Sequence, residues 1–367
     1  MRLLHVITNF EKRAGAEQAL INLVESKLAS DNAIVALRSD ALARHVSLPA
    51  TCRTEALGLP EVSLLRAARR LSSIAANYQP DAVLGWMYHG NLAASLLNFG
   101  RLRSPPVVWT VHHALDDWRS ESRSTKLAIA ASAVVSRTAD AIVYVSARAQ
   151  LQHFKLFGNN ARSVVIPNAV PIATYQDKGD RAPGKTVGFA ARYHPTKDFE
   201  TFLRTVREVH SRDPSVRFLA CGEGASMENS ELAAIAKREG VQPGEIEWLG
   251  PRTEMAGFYG DLDLFLLTSR AEGFGMVLAE ALGHGVPCVS TDVGAAREII
   301  AQYGRVVPAG DARALAGAIF DELARPGAER QLRAKAAREH IAVQFSAEAV
   351  RTQYAKLLDG VGCHRFD

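Results

Sequence analysis

Cysteine is scarce in this sequence, and its few copies are dispersed. Cys52, Cys221, Cys288 and Cys363 form no CxxC pair. Neither a disulfide frame nor a zinc site is indicated, and a reducing, cytoplasmic setting is expected. Cys221 and Cys288 sit in or at the end of apolar runs and read as inert core thiols. No apolar run approaches the ~20 residues of a spanning helix, and residues 1–10 read as a strand rather than a signal peptide. Charge of one sign is also lacking. The formal net charge of +4 is too small to indicate a nucleic-acid partner. GxxxxGK[ST], GxSxG and HExxH are all missing, which excludes the chemistries those motifs carry. Gly222-Glu223-Gly224 follows a strand but lacks the third glycine of a dinucleotide fingerprint. Asp261-Leu262-Asp263 has the spacing of a metal-binding pair. It runs straight into an apolar strand, however, so at most one carboxylate is expected to face a site, and no metal is assigned. There is no repeat and no low-complexity tract.

What is present is ample apolar material, 47% of 367 residues, with 22% charged. That suits a protein of about two domains. The charge is unevenly divided. Residues 1–170 carry 19 Lys+Arg against 12 Asp+Glu, net +7, and residues 171–367 carry 24 against 27, net −3. Strands are expected at Leu3–Thr8, Ile34–Leu37, Asp81–Trp86, Val107–Val111, Ala141–Val145 and Ser163–Ile166. Helices are expected at Glu17–Leu28 and Leu64–Ala76, and a polar-aromatic loop at Met87–Asn91. The turn-rich stretch Asp177–Lys185 reads as a linker. Strands then recur at Thr186–Ala190, Val216–Cys221, Ile246–Leu249, Leu264–Leu267 and Cys288–Ser290, alternating with helices. Two runs of alternating strands and helices predict an α/β protein of two doubly wound, Rossmann-like domains facing a cleft. The expected division is 1–170, 171–345 and a C-terminal helical segment, 346–367, that packs back on the first domain.

Ligands in such sheets bind outside the carboxyl ends of strands, and polar residues follow several of these strands. Gly15 follows the first, His89 the strand ending at Trp86, and His112 and His113 the strand ending at Val111. Arg192 and Lys197 follow Ala190; a planar fork and a mobile point charge together suit a diphosphate. The stretch from Thr268 to Ile300 carries Glu272 and Glu280 around Gly273-Phe274-Gly275 and a helix start. Helix N-termini favour anions. A carboxylate beside an anion site is tolerable where it accepts hydrogen bonds from hydroxyls, and a phosphorylated sugar supplies both groups.

With these residues in place the chain resembles the retaining GT-B glycosyltransferases of the GT4 (glycosyl transferases group 1) family. Glu272-Gly-Phe-Gly followed by Glu280 matches the Glu-x7-Glu signature. Ala281-Leu282, Gly285-x-Pro287 and Thr291-Asp292-x-Gly294 follow in their usual order. Arg192 and Lys197 match the family's basic pair, and Val165-Ile166-Pro167-Asn168 its interdomain segment. Ala14-Gly15 stands where Gly-Gly is common, and Ala169 where Gly often follows Pro-Asn. The resemblance implies a nucleotide-sugar donor, UDP-linked ahead of GDP-linked, as co-substrate with no required cofactor. It implies that Arg192 and Lys197 stabilise the leaving diphosphate. Glu280 would bind ribose hydroxyls. Glu272 would bind the donor sugar, aided by backbone N–H groups of Phe274 and Gly275 in the Gly273–Gly275 turn. Gly15 would approach the diphosphate, and His113, ahead of His112, would contact the transferred sugar. It implies transfer with retention to a glycan or polyprenyl- or lipid-linked acceptor in cell-surface polysaccharide or lipopolysaccharide synthesis. The basic first half, with Arg66, Arg69, Arg70 and the Arg119–Arg137 segment, points to peripheral association with an anionic membrane at the inner face of the cell membrane. A GT-B nucleotide-sugar epimerase and a non-catalytic sugar-binding protein are the competing readings. The intact Glu272/Glu280 spacing argues against the first and the full set of site residues against the second.

Overall fold

The computed structural model describes residues 1–12, 14–98, 104–116, 118, 122–158, 162–171 and 184–362. Arg13, Arg119, most of the linker reading and Cys363 lie outside them. The chain divides into two compact units. One comprises Met1–Leu115, Glu121–Val170 and Ser346–Asp367, and the other Asp116–Ser120 and Pro171–Phe345.

The first unit runs β1 (Arg2–Ile7), α1 (Gly15–Glu25), β2 (Asp31–Ala36), β3 (Cys52–Ala56), α2 (Leu64–Tyr78), β4 (Ala82–Trp86) and α3 (Met87–Ser95). It continues with β5 (Val107–Val111), α4 (Arg123–Val135), β6 (Ala141–Tyr144), α5 (Ala147–Phe157) and β7 (Ser163–Val165). Among the described residues its seven strands are parallel in the order β3-β2-β1-β4-β5-β6-β7. A parallel sheet is covered on both faces, so its central strands are continuous apolar runs rather than alternating ones. β4 and β5 are buried at every position. Ser63, Ser122 and Ser146 accept a backbone N–H at the starts of α2, α4 and α5 and set where those helices begin.

The second unit runs β8 (Thr186–Ala190), α6 (Phe199–His210), β9 (Arg217–Cys221), α7 (Ser230–Glu239), β10 (Ile246–Trp248), α8 (Ala256–Asp261) and β11 (Leu264–Leu267). α9 (Met276–Gly283), β12 (Cys288–Thr291), α10 (Ala296–Ile300), β13 (Gly304–Val307), α11 (Ala312–Leu323) and α12 (Gly327–Phe345) follow. Among the described residues its six parallel strands are ordered β10-β9-β8-β11-β12-β13. α13 (Ala347–Gly360) returns to the first unit, where Val350, Tyr354 and Leu358 join the core that Leu20, Leu23 and Val24 of α1 help to build.

Two details that bear on the expected site residues differ from what the sequence predicts. Met87–Asn91 is not a loop but the start of α3, and it carries His89. Gly90 permits this: a Cβ there would lie 2.4 Å from the Val6 carbonyl oxygen, so only glycine lets the helix sit on β1. Gly15 is the first residue of α1, which begins ahead of the expected start at Glu17.

Candidate active site

In the second unit, β8 and β11 lie side by side where the strand order turns back on itself. Loops leaving adjacent strands at such a point diverge and open a crevice. Lys197 leaves β8 through the short 3₁₀ turn Pro195–Lys197, and Glu272 leaves β11 through the loop after Leu267. The Lys197 Nζ donates to Glu272 Oε1 at 2.6 Å, and the Ser269 hydroxyl donates to the same oxygen at 2.7 Å. The two charged side chains are 22% and 12% exposed. Partial shielding strengthens such a pair relative to a surface ion pair while leaving it accessible.

The loop that presents Glu272 also fixes Lys197. The Thr268 hydroxyl lies 3.1 Å from the carbonyl oxygens of both Lys197 and Asp198. Asp198 is buried, adopts φ 49° and caps α6 by accepting from the Thr201 N–H at 3.2 Å. Arg270 donates to its two carboxylate oxygens at 2.8 and 2.9 Å, a planar fork that a lysine cannot make. Thr291 Oγ1 donates to the Ser269 carbonyl at 2.6 Å. Gly294 supplies the space on the far side: a Cβ there would sit 2.7 Å from the Glu272 carbonyl oxygen. Gly275, at φ 103°, is the N-cap of α9, so the Glu272 loop ends at a helix N-terminus. Phe274 is buried and meets the edge of Phe345, which anchors the turn.

Glu280 lies one turn along α9, half-buried. The Tyr259 phenol donates to its Oε2 at 2.9 Å. Arg192, just past β8, is exposed and makes no ion pair among the described residues. Gly222 lets the β9 loop approach β8 closely, since a Cβ there would lie 2.0 Å from the Ala191 carbonyl oxygen.

The histidines sit in the first unit. His112 is half-buried and stacks on Trp86, with ring centroids 4.9 Å apart at 18°. Neither of its ring nitrogens has a hydrogen-bond partner of good geometry among the described residues. Burial lowers its pKa to about 4, an effect the nearby Asn168 side chain partly offsets, so the ring is neutral. Trp86 is itself fixed from behind by donating to His5 Nδ1 at 3.2 Å, and His5 Nε2 meets Asn32 Oδ1 at 3.1 Å. His113 turns toward the core and meets Tyr88 edge-on at 6.0 Å. His89 is half-buried on α3, its pKa lowered by burial and then by Arg38.

The chain matches the family Glycosyl transferases group 1 over residues 184–324 and Glycosyltransferase Family 4 over residues 31–174. It belongs to the GT4 glycosyltransferase family. A relative, phosphatidyl-myo-inositol mannosyltransferase of Mycolicibacterium smegmatis, is 31% identical over 188 residues, 48% of this chain and 47% of that protein. GDP-mannose:cellobiosyl-diphosphopolyprenol alpha-mannosyltransferase of Xanthomonas campestris is 27% identical over 134 residues, 36% of this chain and 35% of that one. The chain therefore matches less than half the length of these relatives. The Anabaena protein HepE, solved with UDP and glucose, shares the fold with a TM-score of 0.80 at 19% identity, covering 97% of this chain and 99% of its own. The two Rossmann-like units are those of a GT-B fold.

Within this GT4 chain, Lys197, Glu272 and the Gly273–Gly275 turn converge at one sheet switch point, with Glu280 on the helix that follows. Gly15, His112 and His113 belong to the other unit. The Asp261/Asp263 pair lies elsewhere. Asp263 Oδ2 accepts the Thr186 N–H at 2.9 Å, at the opposite end of β8 from Lys197, and Asp261 is exposed. Ser269, Thr268, the Asp198–Arg270 fork and Tyr259 escaped the sequence reading. Their side chains are unremarkable in type, and only tertiary pairing gives them a place at the site.

Proposed function

We propose that this protein is a glycosyltransferase that moves a sugar from a nucleotide-sugar donor, UDP-linked ahead of GDP-linked, to a lipid-linked glycan, with retention at the anomeric carbon. The observation that carries this reading is the Lys197–Glu272–Ser269 cluster at the β8/β11 switch point, a cation and a hydroxyl-seeking carboxylate held against one another. Departure of a nucleoside diphosphate leaves oxocarbenium character on the sugar and negative charge on the leaving group. Stabilising that charge is the main catalytic task. Lys197 and Arg192 are the cations for it, and Glu272 accepts from hydroxyls of the transferred sugar. Glu280 holds the ribose. In the first unit, Gly15 serves the diphosphate. The sugar contact falls to the His112/His113 pair. The family resemblance, the UDP bound by HepE and the GDP-mannose named for the Xanthomonas relative support the donor class. The assay is release of UDP or GDP from a panel of nucleotide sugars without acceptor, with and without EDTA. Slow release that survives EDTA is expected; release abolished by EDTA and restored by a divalent cation refutes diphosphate stabilisation by Lys197 and Arg192 alone.

The acceptor is proposed to be membrane-held. No helix among the described residues is long and apolar enough to cross a bilayer. α2, however, exposes Leu64 and Leu65 beside Arg66, Arg69 and Arg70, and α4 exposes Leu127 and Val134 between Arg123 and Arg137. Exposed apolar side chains flanked by cations suit an anionic lipid surface. Co-flotation with phosphatidylglycerol vesicles is expected, weakened by salt and by Leu64→Asp with Leu65→Asp. Equal recovery with phosphatidylcholine vesicles counts against it.

A further inference from the structure

Glu280 is held from its buried side by groups that no part of the Glu-x7-Glu spacing announces. Tyr259 is fully buried on α8, and its hydroxyl donates to Glu280 Oε2 at 2.9 Å. The ring is wedged between two others, edge-on to Phe265 of β11 at 5.9 Å and tilted against His284 at 4.9 Å. His284 engages the main chain of the same glutamate, its backbone N–H reaching the Glu280 carbonyl at 3.1 Å and its Nδ1 lying 2.9 Å from it. A glutamate on a helix surface samples many rotamers and loses that freedom when it binds a ligand. Here one carboxylate oxygen is already assigned to a rigid donor. We propose that Tyr259 is a positioning residue that pre-orients the Glu280 carboxylate for the ribose diol of the nucleotide.

This rests on the reading of Glu280 as the ribose ligand and extends it to the residue that aims it. Burial, and then the neighbouring carboxylate, push the Tyr259 phenol far above its ordinary range, so it stays a protonated donor at any working pH. A phenol that keeps its proton and donates to a carboxylate orients that group without bringing a charge of its own.

The test compares ribonucleotide with 2′,3′-dideoxynucleotide. UDP and GDP are titrated calorimetrically against the full chain, and whichever binds is carried forward with its dideoxy counterpart. Tyr259→Phe is expected to weaken the ribonucleotide by about tenfold, the loss typical of a hydrogen bond to a charged group. It should leave the dideoxy analogue within about twofold, and add nothing in a Glu280→Ala background. Tyr259→Met removes the same hydroxyl with different packing and should give the same selective loss. An equal loss on both nucleotides makes Tyr259 merely structural and overturns the proposal. So does an unchanged ribonucleotide affinity in Tyr259→Phe while Glu280→Ala weakens it. If Glu280→Ala binds both nucleotides as the wild type does, or if the wild type binds neither UDP nor GDP, the ribose reading itself fails, and the positioning role with it.

Discussion

Lys197→Ala is expected to lower donor turnover by about two to three orders of magnitude, the range for removing a pre-organised electrostatic stabiliser of developing charge. The informative comparison is with Glu272→Gln. In the structure Lys197 is engaged with Glu272 at 2.6 Å. A diphosphate carries more negative charge than one carboxylate, so it competes well for the lysine, yet part of the Lys197–Glu272 attraction is given up when it arrives. Removing the charge of Glu272 removes that competition and a source of repulsion toward phosphate. Glu272→Gln is therefore expected to bind UDP or GDP as tightly as the wild type or severalfold tighter. It should also turn over the nucleotide sugar at least tenfold more slowly, because a carboxylate acceptor for sugar hydroxyls has been replaced by a weaker neutral one. Lys197→Ala should lose both binding and turnover. Calorimetry with the free nucleotide and single-turnover release from the nucleotide sugar separate the two. If Glu272→Gln weakens the free nucleotide as much as Lys197→Ala does, the division of labour between the two side chains is wrong.

The contrast between what the sequence discloses and what it conceals has a physical origin. The buried strands are visible because a parallel sheet needs apolar runs on both faces. Lys197, Glu272 and Glu280 are visible because they follow such strands, or the helix after one, in a region that must bind something outside the sheet. β3 is hidden in the sequence because Cys-Arg-Thr-Glu-Ala at the sheet edge is only partly buried and has no apolar run to reveal it. α3 looks like a loop in sequence because Gly90 is a poor helix former, and its contact with β1 overrides that local preference. The supporting groups of the site are hidden for another reason. Ser269, Asp198, Arg270 and Tyr259 are ordinary residues in ordinary places, and their meaning lies in pairings across 3 to 72 positions of sequence. The two adjacent histidines show the same limit. Both end a strand, yet one ring stacks on Trp86 and the other meets Tyr88, a choice made by side-chain packing that spacing does not encode.

Acid should weaken the first unit in a defined window. His5 and His153 are fully buried, and burial lowers each pKa from 6.5 to about 4, as it does for the half-buried His112. His5 faces Asn32 and Trp86. His153 faces the Tyr88 hydroxyl at 2.7 Å, the Ala149 carbonyl, Tyr144 and His113. No carboxylate is among these neighbours to welcome a proton. Between pH 6.5 and 4 the unfolded chain binds protons that the folded one refuses, so stability is intact above about 6.5 and falls as pH drops toward 4. Each group contributes about 1.4 kcal/mol per pH unit inside the window, on the order of 3 kcal/mol across it. The two together are comparable with much of a domain's stability. The measurement is amide hydrogen exchange by mass spectrometry across this range, corrected for intrinsic exchange, reading β1 and β4 peptides against β11 of the second unit. Protection of β1 and β4 should fall from pH 6.5 downward, ahead of β11. His5→Gln should start with lower protection in β1 and lose it less steeply with pH, since its Trp86 and Asn32 partners are disturbed but its buried titration is gone. Equal slopes in the wild type and His5→Gln, or protection of β1 that is flat down to pH 4.5, contradict the assignment of acid lability to these histidines.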